Sequence, residues 1–494
     1  MPRLIPATIG VVALALLPTA AQAQRGIIPS VISIGAHDVN EVFLGVTNRG
    51  AYGLRRADIG MPGNFFPIAT PNVYLFGSGI WIGGIGDVDA NGVPDTITTI
   101  GYNPQDTNEN EWIEGAVGQN PNDPRFRVLD STEPSDQELF PATPLAPQEL
   151  FTVYDDRFSV GQISQPSIPL GVEVRQRSFA FTEPGLDTAI FFQWDILNIS
   201  DQIRASGYTI QDMWTGIAVD PDIGEPTDDT AAPLELDGAP VLLIWDTDFV
   251  ETGFSGRPGF LALVPLDNPG TEVNMTQLSG DGRPGVQPVP QLDRTQYEAL
   301  SGLREPTFAS PFFDLRALIG IGAVDLAEGA VVRAAMAWVW AEAVGEVPEV
   351  LVPSSPELTA DAPFLVDLVA AVRAAREAYD ERLANLPALL DFPAEPQEPE
   401  PGDENVVLQN YPNPFTDETT IEYSIAEEGD VTLEVFDALG HPVFTLATGN
   451  RTPATYTVAW NGRSTNGREV PSGIYVIRLT TSQGTSAVRA LKVR

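Results

Sequence analysis

The 494-residue sequence has no cysteine, two histidines and a single lysine, Lys492. Each scarcity removes a kind of chemistry. Without cysteine there is no disulfide, no thiolate nucleophile and no thiolate-bound metal, so the chain holds together by packing or by bound ions. The two histidines, His37 and His441, stand near opposite ends. A Ser–His–acid triad or a multi-histidine zinc site in the central region is therefore all but excluded. No glycine-rich phosphate loop precedes a helix with the residues that such a site requires. Positive charge is also scarce, with 27 Lys and Arg against 67 Asp and Glu, a net charge of −40. A chain so acidic repels nucleic acid and anionic membrane surfaces. Beyond the N-terminal segment no run of ~18 uncharged apolar residues occurs, so no membrane span is expected in the mature chain.

The acid is unevenly spread. Residues 24–404 carry −39, whereas residues 405–494 carry −2. Two readings fit this surplus: adaptation of the surface to high salt, or a polyacidic face that collects cations or a basic partner. The first residues, "MPRLIPATIGVVALALLPTAAQAQ", contain Arg3, an apolar run from Ile9 to Leu17 and the small-x-small pattern Ala21-Gln22-Ala23. That order predicts an export signal over 1–23, too short to span a bilayer stably. A membrane anchor or buried helix is the competing reading.

From about Ile27 to Asp391 the pattern is mostly β. "LGVEVRQRSF" alternates, with Leu170, Val172 and Val174 opposite Glu173 and Arg175, as in a half-buried strand. "DTAIFFQWDILNIS" is apolar on both faces, as in a central strand. "AVVRAAMAWVWAEA" sets Val332, Met336, Trp338 and Trp340 on one face, but its alanines leave a helix open. Long Pro-, Asp- and Gly-rich loops span Asn103–Gln148 and Ser279–Asp293. One amphipathic helix, "DAPFLVDLVAAVRAAREAYDERLANL", closes this region. Asp361 is its expected N-cap, Pro363 lies in its first turn, and Leu365, Leu368, Val369, Val372, Tyr379, Leu383 and Leu386 form a stripe suited to docking on the core. The Pro- and Glu-rich stretch 391–405 reads as an extended linker. The expected division is a signal at 1–23, an acidic β-rich domain at 24–390, a linker at 391–405 and a terminal domain at 406–494. The fold class is mainly β: a large antiparallel β-sandwich-type core with one C-terminal helix, followed by a small β-sandwich.

In the terminal region, "TTIEYSI" and "DVTLEVFD" alternate cleanly, and turn signals separate them from "HPVFTLA" and "SGIYVIRL". Four motifs stand in order: "YPNPF", "VFDALGHPV", "AWNGRSTNG" and "PSGIYVIRL". Together they resemble the C-terminal sorting domain of bacterial type IX secretion cargo, itself similar to the immunoglobulin-like domain of the flagellar hook-capping scaffold. The resemblance covers about 85 residues, under a fifth of the chain. It implies export to the periplasm, recognition by the type IX outer-membrane secretion machinery, and release or attachment at the cell surface. Tyr411, Phe415, Trp460 and Tyr475 are expected to pack in its core or rim. More weakly, "NVYLFGSGIWIGGI", "FFQWDILNIS" with "DMWTGIAVDPDIG", and "DLRALIGIGAVDLAEGAVV" resemble large exported proteins that carry the same terminal domain. That second resemblance implies no activity.

Two acidic loops are the candidate sites. In "GDVDANGVPDT", Asp87, Asp89, Asn91 and Asp95 with the Val93 carbonyl supply hard oxygens around a tight turn at Gly92, which suits calcium. There is no glutamate at the twelfth position, and a plain Asp/Asn/Gly turn fits equally well. The second loop, "VDPDIGEPTDDTA", offers Asp220, Asp222, Asp228 and Asp229 to solvent, to a cation or to a carboxylate pair for glycoside hydrolysis. Trp194, Trp214, Trp338 and Trp340 would stack on sugars if exposed, but on apolar strands they are expected in the core. Two functions follow: an exported non-catalytic surface protein that is structural, adhesive or binds a glycan or protein, or a secreted carbohydrate-active hydrolase or lyase using two carboxylates. No catalytic residue stands out.

Overall fold

The computed structural model describes residues 33–56, 61–88, 90–104, 111–114, 128–134, 136–137, 139–140, 142–157, 169–308 and 314–389. Toward the C-terminus it describes 406–411, 415, 418–425, 428–437, 441–465, 467–471, 473–481 and 484–492. The expected signal at 1–23, the linker at 391–405, Asp89 and the prolines of "YPNPF" lie outside the described residues.

Two large sheets lie face to face. The first runs, neighbour by neighbour, through Ile34–His37, Phe43–Thr47, Ala51–Tyr52, Val73–Gly86, Ile210–Pro221, Leu315–Leu326, Glu272–Ser279 and Gln287–Pro288, with Asp95–Ile100 paired on Val73–Gly86. The second runs through Leu129–Asp130, Gln148–Asp155, Val172–Ala180, Ala189–Asn198, Val331–Ala341, Phe260–Asp267, Ala239–Asp246 and Asp229–Leu236. Apart from the short parallel pairing of Gln287–Pro288, these pairings are antiparallel.

The layer between the sheets is aliphatic and aromatic. Ile80, Ile82, Ile217 and Ile319 from the first sheet meet Phe192, Trp194, Met336, Trp338 and Trp340 from the second. Some polar tips inside this layer are matched, whereas Trp338 Nε1, Trp340 Nε1 and Gln176 Nε2 are buried without a hydrogen-bond partner. Gln176 Oε1 accepts from the Tyr52 hydroxyl at 2.6 Å, the Tyr154 hydroxyl at 3.0 Å and Trp194 Nε1 at 3.1 Å. "AVVRAAMAWVWAEA" is a strand, Val331–Ala341, so its large residues face the inner layer while Ala335 and Ala337 face out. Small outward residues leave room for a helix, and Leu368, Val369, Val372, Ala375, Tyr379 and Leu383 pack there.

Three details depart from the sequence reading. The helical stretch begins as a 3-10 turn at Pro363–Leu365, continues as α-helix over Val366–Ala378 and ends in a π turn at Tyr379–Leu383. No side chain caps either start, so Asp361 does not act as N-cap; proline in the first turn sets the backbone instead. The strand Val172–Ala180 is covered on both faces. Glu173 is buried and pairs with Arg175 at 2.7 Å, and Arg175 donates to the Leu389 carbonyl at 2.6 Å. A second helix, Asp293–Leu300, closes the loop that began at Ser279. It lies on the outer face of the first sheet through Tyr297, Ala299 and Leu300. Mid-strand glycines make that approach possible, since a Cβ at Gly83 would meet Tyr297 and one at Gly216 or Gly320 would meet Leu300.

The C-terminal residues form a separate small sandwich. One sheet joins Val406–Tyr411, Thr419–Ile425 and Ala454–Trp460; the other joins Pro442–Arg451, Gly429–Asp437, Gly473–Thr481 and Gly484–Lys492. The alternating residues Ile421, Tyr423, Ile425, Val431, Leu433 and Val435 fill its core with Phe415, Trp460 and Tyr475. Lys492, the only lysine, is buried at 4% exposure beneath the Phe415 ring and pairs with Glu469 at 3.1 Å.

Candidate functional site

The first acidic loop holds its own turn together. Gly92 N donates to Asp87 Oδ1 at 3.3 Å and Val93 N donates to Asn91 Oδ1 at 2.7 Å. Asp87 also sits 3.5 Å from Arg204, which donates to the Asp87 carbonyl as well. Val93 is 63% exposed, and Asp95 opens the strand Asp95–Ile100 with Oδ2 buried and unpartnered. Asp89 lies outside the described residues.

The second loop divides in two. Asp220 is buried, ion-paired with Arg316 at 2.9 Å, and accepts from the Tyr102 hydroxyl at 2.6 Å. Burial pushes its carboxyl up to about 7 against the pull of Arg316. Asp228 and Asp229 go elsewhere. The strands Asp229–Leu236 and Ala239–Asp246 form a hairpin about Asp237-Gly238, both in the left-handed region (φ 56° and 82°). Its register sets Asp229 opposite Asp246 at the open end. The chain leaving Asp246 then brings in Asp248 and Glu251.

The result is a dense acidic cluster. Asp228, Asp246 and Asp248 bring one carboxylate oxygen each to within 4.8 Å of one another. Asp229 and Asp246 are both fully buried, whereas Asp248 is exposed. Asp229 Oδ2 accepts from Ile223 N at 3.1 Å, but Asp229 Oδ1, Asp228 Oδ1, Glu251 Oε1 and both carboxylate oxygens of Asp246 are buried without a hydrogen-bond partner. Among the described residues no arginine, lysine or histidine pairs with any of these five acids. Burial pushes Asp246 up to about 8, helped by the charges of Asp228, Glu251 and Asp248. Burial and Glu251 push Asp228 to about 6, and burial holds Asp229 well above the usual carboxylate range. Glu251 can lean over the loop because position 224 is glycine, at φ 79°; a Cβ there would collide with the Glu251 carboxylate.

Sequence reasoning missed Asp246, Asp248 and Glu251. The signal was present in "WDTDFVETG", and Asp-Gly at 237–238 sets the register that opposes Asp229 to Asp246. The sugar-stacking tryptophans are unavailable: Trp194, Trp338 and Trp340 are fully buried and Trp214 is 4% exposed. A groove of about 610 Å³ lies where Glu41, Asp187, Glu342 and Asp367 meet Phe66 and Trp340, and it includes none of the five clustered carboxylates.

Residues 414–485 match the family model described as the FlgD Ig-like domain. This small sandwich is immunoglobulin-like. No curated protein matches the chain. Among solved structures, a polysaccharide lyase aligns at 10% identity and TM-score 0.26, over 94% of this chain and 47% of its own. Dimeric latent PorU from Porphyromonas gingivalis aligns at 10% identity and TM-score 0.16, over 62% of this chain and 31% of its own. The chain thus spans about half and about a third of these two lengths, and likenesses at such scores bear on neither fold nor activity. Among the described residues no helix is long and apolar enough to cross a membrane.

Proposed function

We propose that this chain is an exported protein of the cell surface or extracellular space, with a structural, adhesive or binding role. Residues 24–390 are its cargo domain. Residues 406–494, behind the linker 391–405, are the label that a type IX outer-membrane secretion machinery reads. The carrying observation is the immunoglobulin-like sandwich at 414–485, together with the order of its four motifs. The contrast between a nearly neutral label and a cargo of −39 supports the same division. The carboxylate-pair hydrolase or lyase has less support. A catalytic carboxylate must reach its sugar, whereas Asp229 and Asp246 are fully buried. Deleting 406–494 in the native organism is expected to trap the protein inside the outer membrane, read by cell fractionation and by protease accessibility on intact cells. Surface delivery of the truncated chain overturns the reading.

A further inference from the structure

The geometry points to a calcium site built from Asp228, Asp246, Asp248 and Glu251, at the open end of the hairpin Asp229–Asp246. Three carboxylate oxygens from two separate stretches of chain, Asp228 on one and Asp246 with Asp248 on the other, lie within 4.8 Å of one another. That spacing matches ligands around one ion with metal–oxygen distances of about 2.3–2.6 Å. Proximity of acids alone is common on an acidic protein. The deciding feature is Asp246, which has no exposed surface and no well-formed hydrogen bond to either carboxylate oxygen, the Phe249 backbone contributing only a weak one. Glu251 Oε1 and Asp228 Oδ1, on half-buried residues, are also buried atoms without a hydrogen-bond partner. Buried carboxylates are matched by hydrogen-bond donors, by cationic side chains or by metal ions. Cationic side chains are missing here among the described residues and donors are sparse, with Val250 N on Asp248 Oδ1 at 2.9 Å, whereas Asp156 and Asp220 show that this protein supplies full sets elsewhere.

The donor set selects the ion. It is all carboxylate oxygen, with no imidazole or thiolate, which disfavours zinc and copper. Carboxylates drawn from Asp228 just before one strand, from the strand end at Asp246 and from the following loop suit the loose geometry of calcium better than strict octahedral magnesium. Asp248 faces solvent and provides the way in. Bound calcium would tie the hairpin end to the loop 247–251, and so fix one edge of the second sheet.

The test uses the mature chain, stripped with chelator and titrated with CaCl2 at constant ionic strength. We expect saturable heat of binding and a rise in Tm of about 5 °C or more at ~10 mM calcium. Tb³⁺ should bind with emission sensitised through Trp245, the neighbour of Asp246. Asp248→Asn, at an exposed position that leaves the fold intact, is expected to weaken calcium binding at least about tenfold. Gly224→Ala should weaken it by displacing Glu251. Asp87→Asn, in the other acidic loop, should leave it unchanged. Absence of a calcium-dependent Tm shift, or a shift undiminished in Asp248→Asn, overturns the site. A response lost in Asp87→Asn but kept in Asp248→Asn would move it to the 87–95 loop and overturn it equally.

Discussion

Asp156 offers a test in which two physical effects pull in opposite directions. It is fully buried just after the strand Gln148–Asp155. Its Oδ2 accepts from Leu170 N at 2.7 Å and from the Thr99 hydroxyl at 2.9 Å, and its Oδ1 accepts from Gly171 N at 3.1 Å and Val172 N at 3.0 Å. Thr99 belongs to the first sheet and Val172 to the second, so one carboxylate ties the two together. Replacing it by alanine strands four donors at about 1–2 kcal/mol each. Burial nevertheless outweighs these donors and pushes the carboxyl from 3.8 up to about 6. A raised acid means that the folded state binds the proton more tightly than the unfolded state. The favourable contribution is full below pH 3.8 and is lost as pH rises through 6. A shift of this size corresponds to about 3 kcal/mol. Asp156→Ala should therefore destabilise by about 3 kcal/mol at pH 7, the donor cost less the relieved burial of charge. The deficit should grow toward about 6 kcal/mol at pH 4, because only the wild type gains from protonation. Urea unfolding followed by tryptophan fluorescence suits the measurement, since seven of the eight tryptophans precede the linker. A deficit that shrinks on acidification would show that the four donors dominate burial.

Other expectations follow from packing and charge. Ala337→Leu, placing a large side chain beneath the helix Val366–Ala378, should cost about 1–3 kcal/mol by overpacking; an unchanged urea midpoint would mean that the helix does not rest on that alanine. Salt adaptation of a cargo carrying −39 predicts a Tm that climbs strongly between low and molar NaCl as repulsion is screened; a flat response counts against it.

Much of the β architecture was legible because its strands carry strong periodicity. Ile190, Phe192, Trp194 and Ile196 face one layer and Phe191 another, as a central strand requires. The helix Asp293–Leu300 was not legible. "DRTQYEAL" is short and polar, and its stability comes from the glycine platform at Gly83, Gly216 and Gly320 on three distant strands. Partner strands far apart in sequence, such as Ala189–Asn198 with Val331–Ala341, leave no local mark either. The acidic cluster was half legible. Asp228 and Asp229 stood out with Asp220 and Asp222 as one acidic loop, but their partners come from "WDTDFVE", and only the register of the hairpin joins the two. The arginines were equally silent: Arg316 neutralises Asp220, and that pairing depends on the adjacency of Ile210–Pro221 and Leu315–Leu326 in one sheet.

The central claim is that residues 406–494 are a delivery label that works apart from the cargo. The direct measurement is transplantation. Residues 391–494 are fused to a signal-bearing periplasmic reporter in the native organism, and protease sensitivity of the reporter is measured on intact cells. The reporter is expected to reach the cell surface or the medium. Retention of the folded fusion in the periplasm, while the native chain is delivered normally, would contradict it.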